Sequence, residues 1–309
     1  MSGRFIVSLD CEGKWGMADA LQPYHHRLLT DEALARVYAE IVTRFAAHAV
    51  PATFAFVMAF TLTAEEQQQF ADILADTGRR DDWLSHFWSE QREGRAGGWF
   101  QPQALETVRA DPRHEIASHS FCHRDLADAA ISEEEAEAEL DSAAAAARLK
   151  GIQPRTFVFP RNSVGHVSLL RRKGYIGYRL ARPPVSRLRA LAAELYLWPR
   201  AEISPPAAPG APIAIPAGYF LNWRFGPRRY IPRTVTARRW KTLIDRACET
   251  GGVAHLWFHP HNLITAPSTR DTLDEILAYA SAQRSAGRLR MLTQEQYCEE
   301  LLAGAEPTS

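Results

Sequence analysis

Four short segments bring reactive side chains to the ends of apolar runs. In Ser8-Leu9-Asp10-Cys11-Glu12-Gly13 the run ends in two carboxylates spaced i, i+2, which extended backbone puts on one side. Parallel α/β sheets place catalytic groups at strand C-terminal ends, although acids there also cap following helices. In His119-Ser120-Phe121-Cys122-His123 two imidazoles four residues apart would share one face of a helical turn and could grip one metal ion. A zinc-protease motif is excluded, because it needs Glu where Ser120 stands. With a carboxylate from another strand end, the two histidines complete a three-ligand set with open positions, as in catalytic zinc sites. The segment Val253-Ala254-His255-Leu256-Trp257-Phe258-His259-Pro260-His261 puts His255, Trp257 and His259 on one strand face. A strand-end histidine near a metal suits a general acid, and His261 is a further ligand, a substrate contact or a bystander. Finally, Phe157-Val158-Phe159-Pro160 delivers Arg161 and Asn162 to a strand end. The guanidinium of Arg161 could hold Asp10 bidentately, and Asn162 is a candidate substrate contact.

The elements that must position these groups alternate between short β-branched or aromatic runs and longer helical patterns, which predicts βα units and a mainly parallel sheet. Strands are expected at 5–10, 53–60, 115–119, 156–160, 177–180, 253–259 and 289–292, with helices near 31–48, 64–76, 101–110, 132–150, 164–173, 236–250, 270–286 and 294–303. Ser132 with Glu135 makes a capping box, and Gly151 stops the Ala-rich helix between them. Two stretches break the alternation. Residues 77–100, with Trp83, Trp88 and Trp99, read as an inserted helix and loop. Residues 199–233, with Pro205-Pro206, read as an irregular excursion. The expectation is a single α/β domain spanning 1–309, with those two insertions. Trp15, just after Glu12, either faces the pocket or packs against a helix.

The chain has 309 residues, 46% of them hydrophobic, with Lys+Arg and Asp+Glu at 36 each. That composition is of an ordinary globular protein, and no apolar run approaches the roughly 18 residues of a spanning helix. A transmembrane transporter is excluded. The first residues reach Asp10 too soon for a signal peptide, so a cytoplasmic location is expected. The four cysteines, Cys11, Cys122, Cys248 and Cys298, show no metal or disulfide spacing. The balanced charge conceals a polarity: between Ser142 and Ile244 there are 19 Lys and Arg against only Glu194 and Glu202. The acids are concentrated in the flanks. Such a middle third suggests an anionic partner, either a phosphate-bearing substrate or peripheral contact with the inner membrane face. No recognition motif points to nucleic acid.

Taken in order, these segments resemble the polysaccharide deacetylase family, also called the NodB-homology or carbohydrate esterase family four domain, over about 4–302. His119-Ser120-x-x-His123 matches the family's His-[Ser/Thr]-x-x-His metal motif in full. The resemblance implies an irregular, TIM-like (β/α) barrel of about seven strands. It makes Asp10 the catalytic base, Arg161 the arginine positioning that base, and His259 the group that protonates the leaving amine. The family's Thr-Phe-Asp-Asp-Gly is replaced by Ser8-Leu9-Asp10-Cys11-Glu12-Gly13, so the metal carboxylate becomes Glu12. Phe258-His259-Pro260 stands where the family has Leu-His-Asp. Both departures resemble the Asp-x-[Asp/Glu] branch that includes cyclic-amide hydrolases. Glu202 is the candidate for the acid that supports the catalytic histidine.

The expected activity is metal-dependent hydrolysis of an N-acetyl or N-formyl group on an amino sugar, nucleotide- or lipid-linked, in cell-surface glycan synthesis. The ligand set of Glu12, His119 and His123 favours Zn²⁺, with Co²⁺, Ni²⁺, Mn²⁺ or Fe²⁺ as alternatives. An allantoinase-like cyclic-amide hydrolase, a non-catalytic glycan-binding module and a two-His-one-carboxylate Fe(II) oxygenase are the other readings.

Overall fold

The computed structural model describes residues 2–78, 82–127, 129–183, 186–195 and 199–305. Among the described residues nine strands form one sheet: β1 (Gly3–Cys11), β2 (Thr53–Phe56), β3 (Glu115–Ser118), β4 (Thr156–Val158), β5 (Gly177–Arg179), β6 (Ile213–Ile215), β7 (Tyr219–Phe220), β8 (Val253–Phe258) and β9 (Leu289–Leu292). Eight run in the order β6-β5-β4-β3-β2-β1-β8-β7, and β9 pairs with β1. All of these strand pairings are parallel. One edge of β1 carries β8 along Arg4–Leu9. Its other edge is shared, β9 taking Gly3–Ile6 and β2 taking Ser8–Cys11. β1 is therefore the central stave, which is why its sequence is almost continuously apolar until Asp10.

Alternation along β1 sorts its side chains. Phe5, Val7, Leu9 and Cys11 join the large outer core with Tyr38, Ile41 and Phe45 of the helix Asp31–Ala47 and Trp240 and Leu243 of the helix Arg233–Thr250. Ile6 instead meets Ile213, Ile215, Val253 and Leu292 inside the sheet. Ser8 and Asp10 share that inner side with Ile6, so a polar column rises above an apolar floor.

The sheet curls until its ends nearly meet. β6 and β7 lie at opposite ends of the strand order, yet only Pro216, Ala217 and Gly218 connect them, and each residue spans at most about 3.5 Å. The His255 Nδ1 sits 2.7 Å from the Pro216 carbonyl at this seam. Gly218 has φ +64°, and a Cβ there would fall 2.3 Å from the His255 carbonyl oxygen.

The expected α/β barrel of about seven strands is present, and two details differ. The count of about seven strands omitted β6 and β7, which lie inside the proline-rich stretch 199–233. Their three and two residues are too short to show a period-2 pattern between prolines. The strand expected at 53–60 ends at Phe56, and a 3-10 turn, Met58–Thr61, follows. The insertion at 77–100 contains the helix Leu84–Arg92, and residues 79–81 lie outside the described residues.

Part of the charge polarity is offset by ion pairs in the folded chain. Lys150 pairs with Glu66, Lys173 with Glu137 and Asp141, Arg233 with Asp271, Lys241 with Glu275, and Glu194 takes both Arg228 and Arg239. Lys150, Lys173, Arg233 and Lys241 thus draw on acids of the flanks, whereas Arg228 and Arg239 share Glu194 within the middle third itself. No helix among the described residues is long and apolar enough to cross a membrane.

Candidate active site

The inward column on β1 ends at Asp10, 2% exposed, and the chain leaving the strand carries Glu12, 3% exposed, into the same mouth. Asp10 is gripped by Arg179 on β5: Nη1 donates to Oδ1 and Nη2 to Oδ2, both at 2.7 Å. Arg179 also donates to Ser8 Oγ at 3.2 Å and Asn162 Oδ1 at 3.0 Å, and lies 4.6 Å from the Trp257 ring centroid. Burial alone would raise the Asp10 carboxyl, but Arg179, with His119 and His259 behind it, outweighs that and holds it below its ordinary value.

The expected partner, Arg161, is not on Asp10. β4 ends at Val158 and Pro160 turns the chain, so Arg161 (φ +57°) points outward, pairs with Asp19 at 3.0 Å and lies 5.6 Å from the Trp83 ring. The sequence showed a strand at 177–180 containing an arginine. An arginine on the inner face of a barrel strand needs a buried anion, and that was the available signal for Arg179.

Glu12 lies among imidazoles. Its Oε2 is 3.3 Å from His119 Nε2 and 3.2 Å from His123 Nε2, and its Oε1 is 3.4 Å from His259 Nε2. Burial would raise this carboxyl, but the surrounding histidines, His259 foremost, hold it well below the ordinary range. Gly16 makes room for it, since a Cβ there would overlap the Glu12 carboxylate at 1.9 Å. His119 Nδ1, 2.7 Å from the Val158 carbonyl, must donate to it, which turns Nε2 toward Glu12.

The spacing of His119 and His123 suggested a helical turn, but the segment is a tight loop in which Ser120 (φ +68°) and His123 (φ +66°) are left-handed. Such backbone persists only where its surroundings over-determine it. Here Glu139 accepts from the Phe121 and Cys122 amides at 3.0 and 2.7 Å, Ser120 Oγ accepts from the His123 amide, and the Trp83 indole donates to the Cys122 carbonyl at 2.6 Å. One ligand atom each from Glu12, His119 and His123 lies within 4.8 Å of the others, and all three residues are buried. Two imidazole nitrogens converging on one buried carboxylate oxygen fit a divalent ion.

His259 follows β8, and its side chain, 22% exposed, faces the opening. Its Nε2 is 3.9 Å from Asp10 Oδ2, and its Nδ1 is 3.2 Å from Asn262 Oδ1. Glu202, the expected support, instead pairs with Arg182 and accepts from the Gly218 amide. His261 is 6% exposed, stacked on His259 at 4.9 Å, with its Nδ1 buried and without a partner among the described residues. His255 is a support no motif indicated: its Nε2 meets Ser8 Oγ at 2.8 Å, and Ser8 in turn accepts from Arg179. Burial, then Arg179, lowers the His255 imidazole to about 3, so it stays neutral.

Asn162 reaches the site through Arg179, but Trp15 is fully buried and stacks on Phe87 at 5.1 Å, donating to the Trp99 carbonyl at 2.7 Å. Trp15 is thus core, not a substrate contact. Arg161 and Asn162 form a ridge between two clefts: one of 590 Å³ with Trp83, His86, Arg124 and Asp125, and one of 190 Å³ with Phe220, Trp257 and Arg182.

The family model described as polysaccharide deacetylase matches residues 27–180, about half of the chain, including the His119–His123 loop and Arg179 but not Asp10, Glu12 or His259. No curated protein sequence matches. Among solved structures, a protein described as a polysaccharide deacetylase from Mycobacterium smegmatis aligns with a TM-score of 0.60 at 14% identity, covering 97% of this chain and 90% of that one. One from Pseudomonas aeruginosa PAO1 aligns at 0.58 and 15% identity, covering 99% and 92%. The PuuE allantoinase aligns at 0.52 and 13% identity, covering 99% and 92%. At these identities the structures speak to the barrel alone. The sequence match over residues 27–180 carries the assignment further: the chain belongs to the polysaccharide deacetylase family.

Proposed function

We propose that this deacetylase-family hydrolase is a divalent-metal enzyme, with Zn²⁺ the preferred ion, that removes an N-acetyl or N-formyl group from an amino sugar. The carrying observation is the convergence of Glu12, His119 and His123 with the Arg179-held Asp10 and the partly exposed His259 at one end of the barrel. The ion those three ligands would hold supplies, when bound, a water of lowered pKa and polarisation of the acyl carbonyl. The chain's own groups do the rest. Asp10, kept ionised by its bidentate partner, accepts the proton of the attacking water. Arg179 fixes that carboxylate while Ser8 and His255 fix Arg179. His259, its Nδ1 proton directed at Asn262, presents Nε2 to the opening and protonates the departing amine. The clefts on either side of the Arg161–Asn162 ridge offer Trp83, Phe220 and Trp257 together with polar groups, a lining suited to sugar rings.

The test is a mass-spectrometric screen of N-acetyl and N-formyl sugars, free, nucleotide-linked and lipid-linked, and of ureides, with zinc-loaded protein. Acyl release from an amino sugar is expected, absent in His119→Ala. In Asp10→Asn it should fall by about 10²–10⁴-fold with metal content unchanged. Ring opening of a ureide with every sugar untouched would replace this reading with cyclic-amide hydrolysis.

A further inference from the structure

Glu12 presents two oxygens, and the triad with His119 and His123 engages only Oε2. The other, Oε1, faces His259 Nε2 at 3.4 Å. The His259 proton can be placed. Its backbone N–H donates to Asn262 Oδ1 at 3.1 Å, which fixes that atom as an acceptor, so Nδ1, 3.2 Å from the same oxygen, must also donate. In the neutral ring, Nε2 then carries a lone pair directed at a carboxylate oxygen. Glu12 Oε1 and that ring nitrogen, 3.4 Å apart, are thus placed as two candidate ligand atoms. A third donor is at hand. A ring nitrogen of His261 lies within 4.8 Å of the ligand atoms of Glu12 and His259. His261 is 6% exposed, and its Nδ1 has no hydrogen-bond partner among the described residues.

We propose that Glu12 Oε1, His259 and His261 form a second divalent-cation site, weaker than the first and bridged to it by Glu12, whose filling switches the enzyme off by occupying the nitrogen that must carry a proton to the leaving amine. Paired metals about 3.5–4 Å apart are a known arrangement in hydrolases. Here the second site would be inhibitory, because its ligand is the one group left to act as acid. The cation-binding part stands on geometry alone, while the switching part rests on the deacylase reading.

The experiment titrates Zn²⁺ into the metal-stripped full-length protein by calorimetry, with thermal melting of each variant as a folding control. The wild type should take up a tight equivalent and then a weaker one. His261→Ala should lose only the weaker one, and His261→Gln, which keeps the volume, should do the same if the alanine variant unfolds. Uptake of a single equivalent by the wild type, or a second equivalent that survives both variants, would overturn the site. Deacylation is then compared within each protein at one and at two equivalents: the wild type should lose most of its activity at the second, and the His261 variants should not. Activity unchanged or raised by the second equivalent would overturn the switch. If no substrate is deacylated at any loading, the deacylase reading fails, while the stoichiometry still decides the site.

Discussion

At the scale of the residue, the decisive contact is Arg179 on Asp10. Both groups are at least 97% buried, so each is tolerable only because the other is there. Removing the guanidinium leaves an uncompensated buried carboxylate, at a cost of about 3–5 kcal/mol, and frees Asp10 to take up a proton in the ground state. Arg179→Ala should therefore lower the melting temperature and cut kcat by about 10²-fold or more. Arg161→Ala, on the ridge, should leave kcat within about threefold, because an exposed ion pair such as that with Asp19 is worth only about 0–1 kcal/mol. Steady-state kinetics and melting curves of the two variants side by side check this, and equal losses in both would return the base-positioning role to Arg161.

At the scale of the element, the His119–His123 loop is a left-handed turn held from outside. Glu139 reaches it from the helix Glu133–Leu149, which is started by the Ser132–Glu135 capping box, and Trp83 reaches it from just before the helix Leu84–Arg92. Partners that orient ligands typically control about 10–100-fold of metal affinity. Glu139→Ala should weaken the tight Zn²⁺ equivalent by that amount in calorimetry while far-UV circular dichroism stays unchanged, and undiminished affinity would show that the loop holds its shape without the helix. The histidine pair was legible in the sequence as a metal motif. Its backbone was not, because i, i+4 spacing reads as a helical turn and nothing local reveals that Glu139, Trp83 and the Met58 and Ala59 amides bend it the other way.

At the scale of the whole molecule, the two ends of the barrel have opposite electrostatic characters. The mouth keeps Asp10 and Glu12 ionised, whereas at the floor burial pushes the Glu115 carboxyl of β3 up to about 7 despite bonds from Thr53, Thr156 and the Glu295 amide. The folded value lies above the ordinary 4.5, so the fold prefers the protonated acid. This contribution is fully present below about pH 4.5 and is lost as pH rises through 7, with a change on the order of 3 kcal/mol. Urea unfolding at pH 5 and pH 8 should show the wild type losing stability relative to Glu115→Gln at the higher pH. Parallel behaviour of the two proteins would place the ionisation of Glu115 elsewhere.

The sequence by itself determined which residue types stand at which strand ends, since period-2 and period-3.6 patterns and capping residues are local. That sufficed for Asp10, Glu12, His119, His123 and His259 as members of one rim, and for a parallel α/β barrel. The tertiary structure alone decided who holds whom. Arg179 rather than Arg161 meets Asp10, Asn262 rather than Glu202 meets His259, and Trp15 turns into the core. It also paired Lys150, Lys173, Arg233 and Lys241 of the basic middle third with acids of the flanks. These choices depend on how β5 and the Pro216–Gly218 seam bring distant residues around to β1, and closure of a barrel is a through-space condition that no spacing along the chain records.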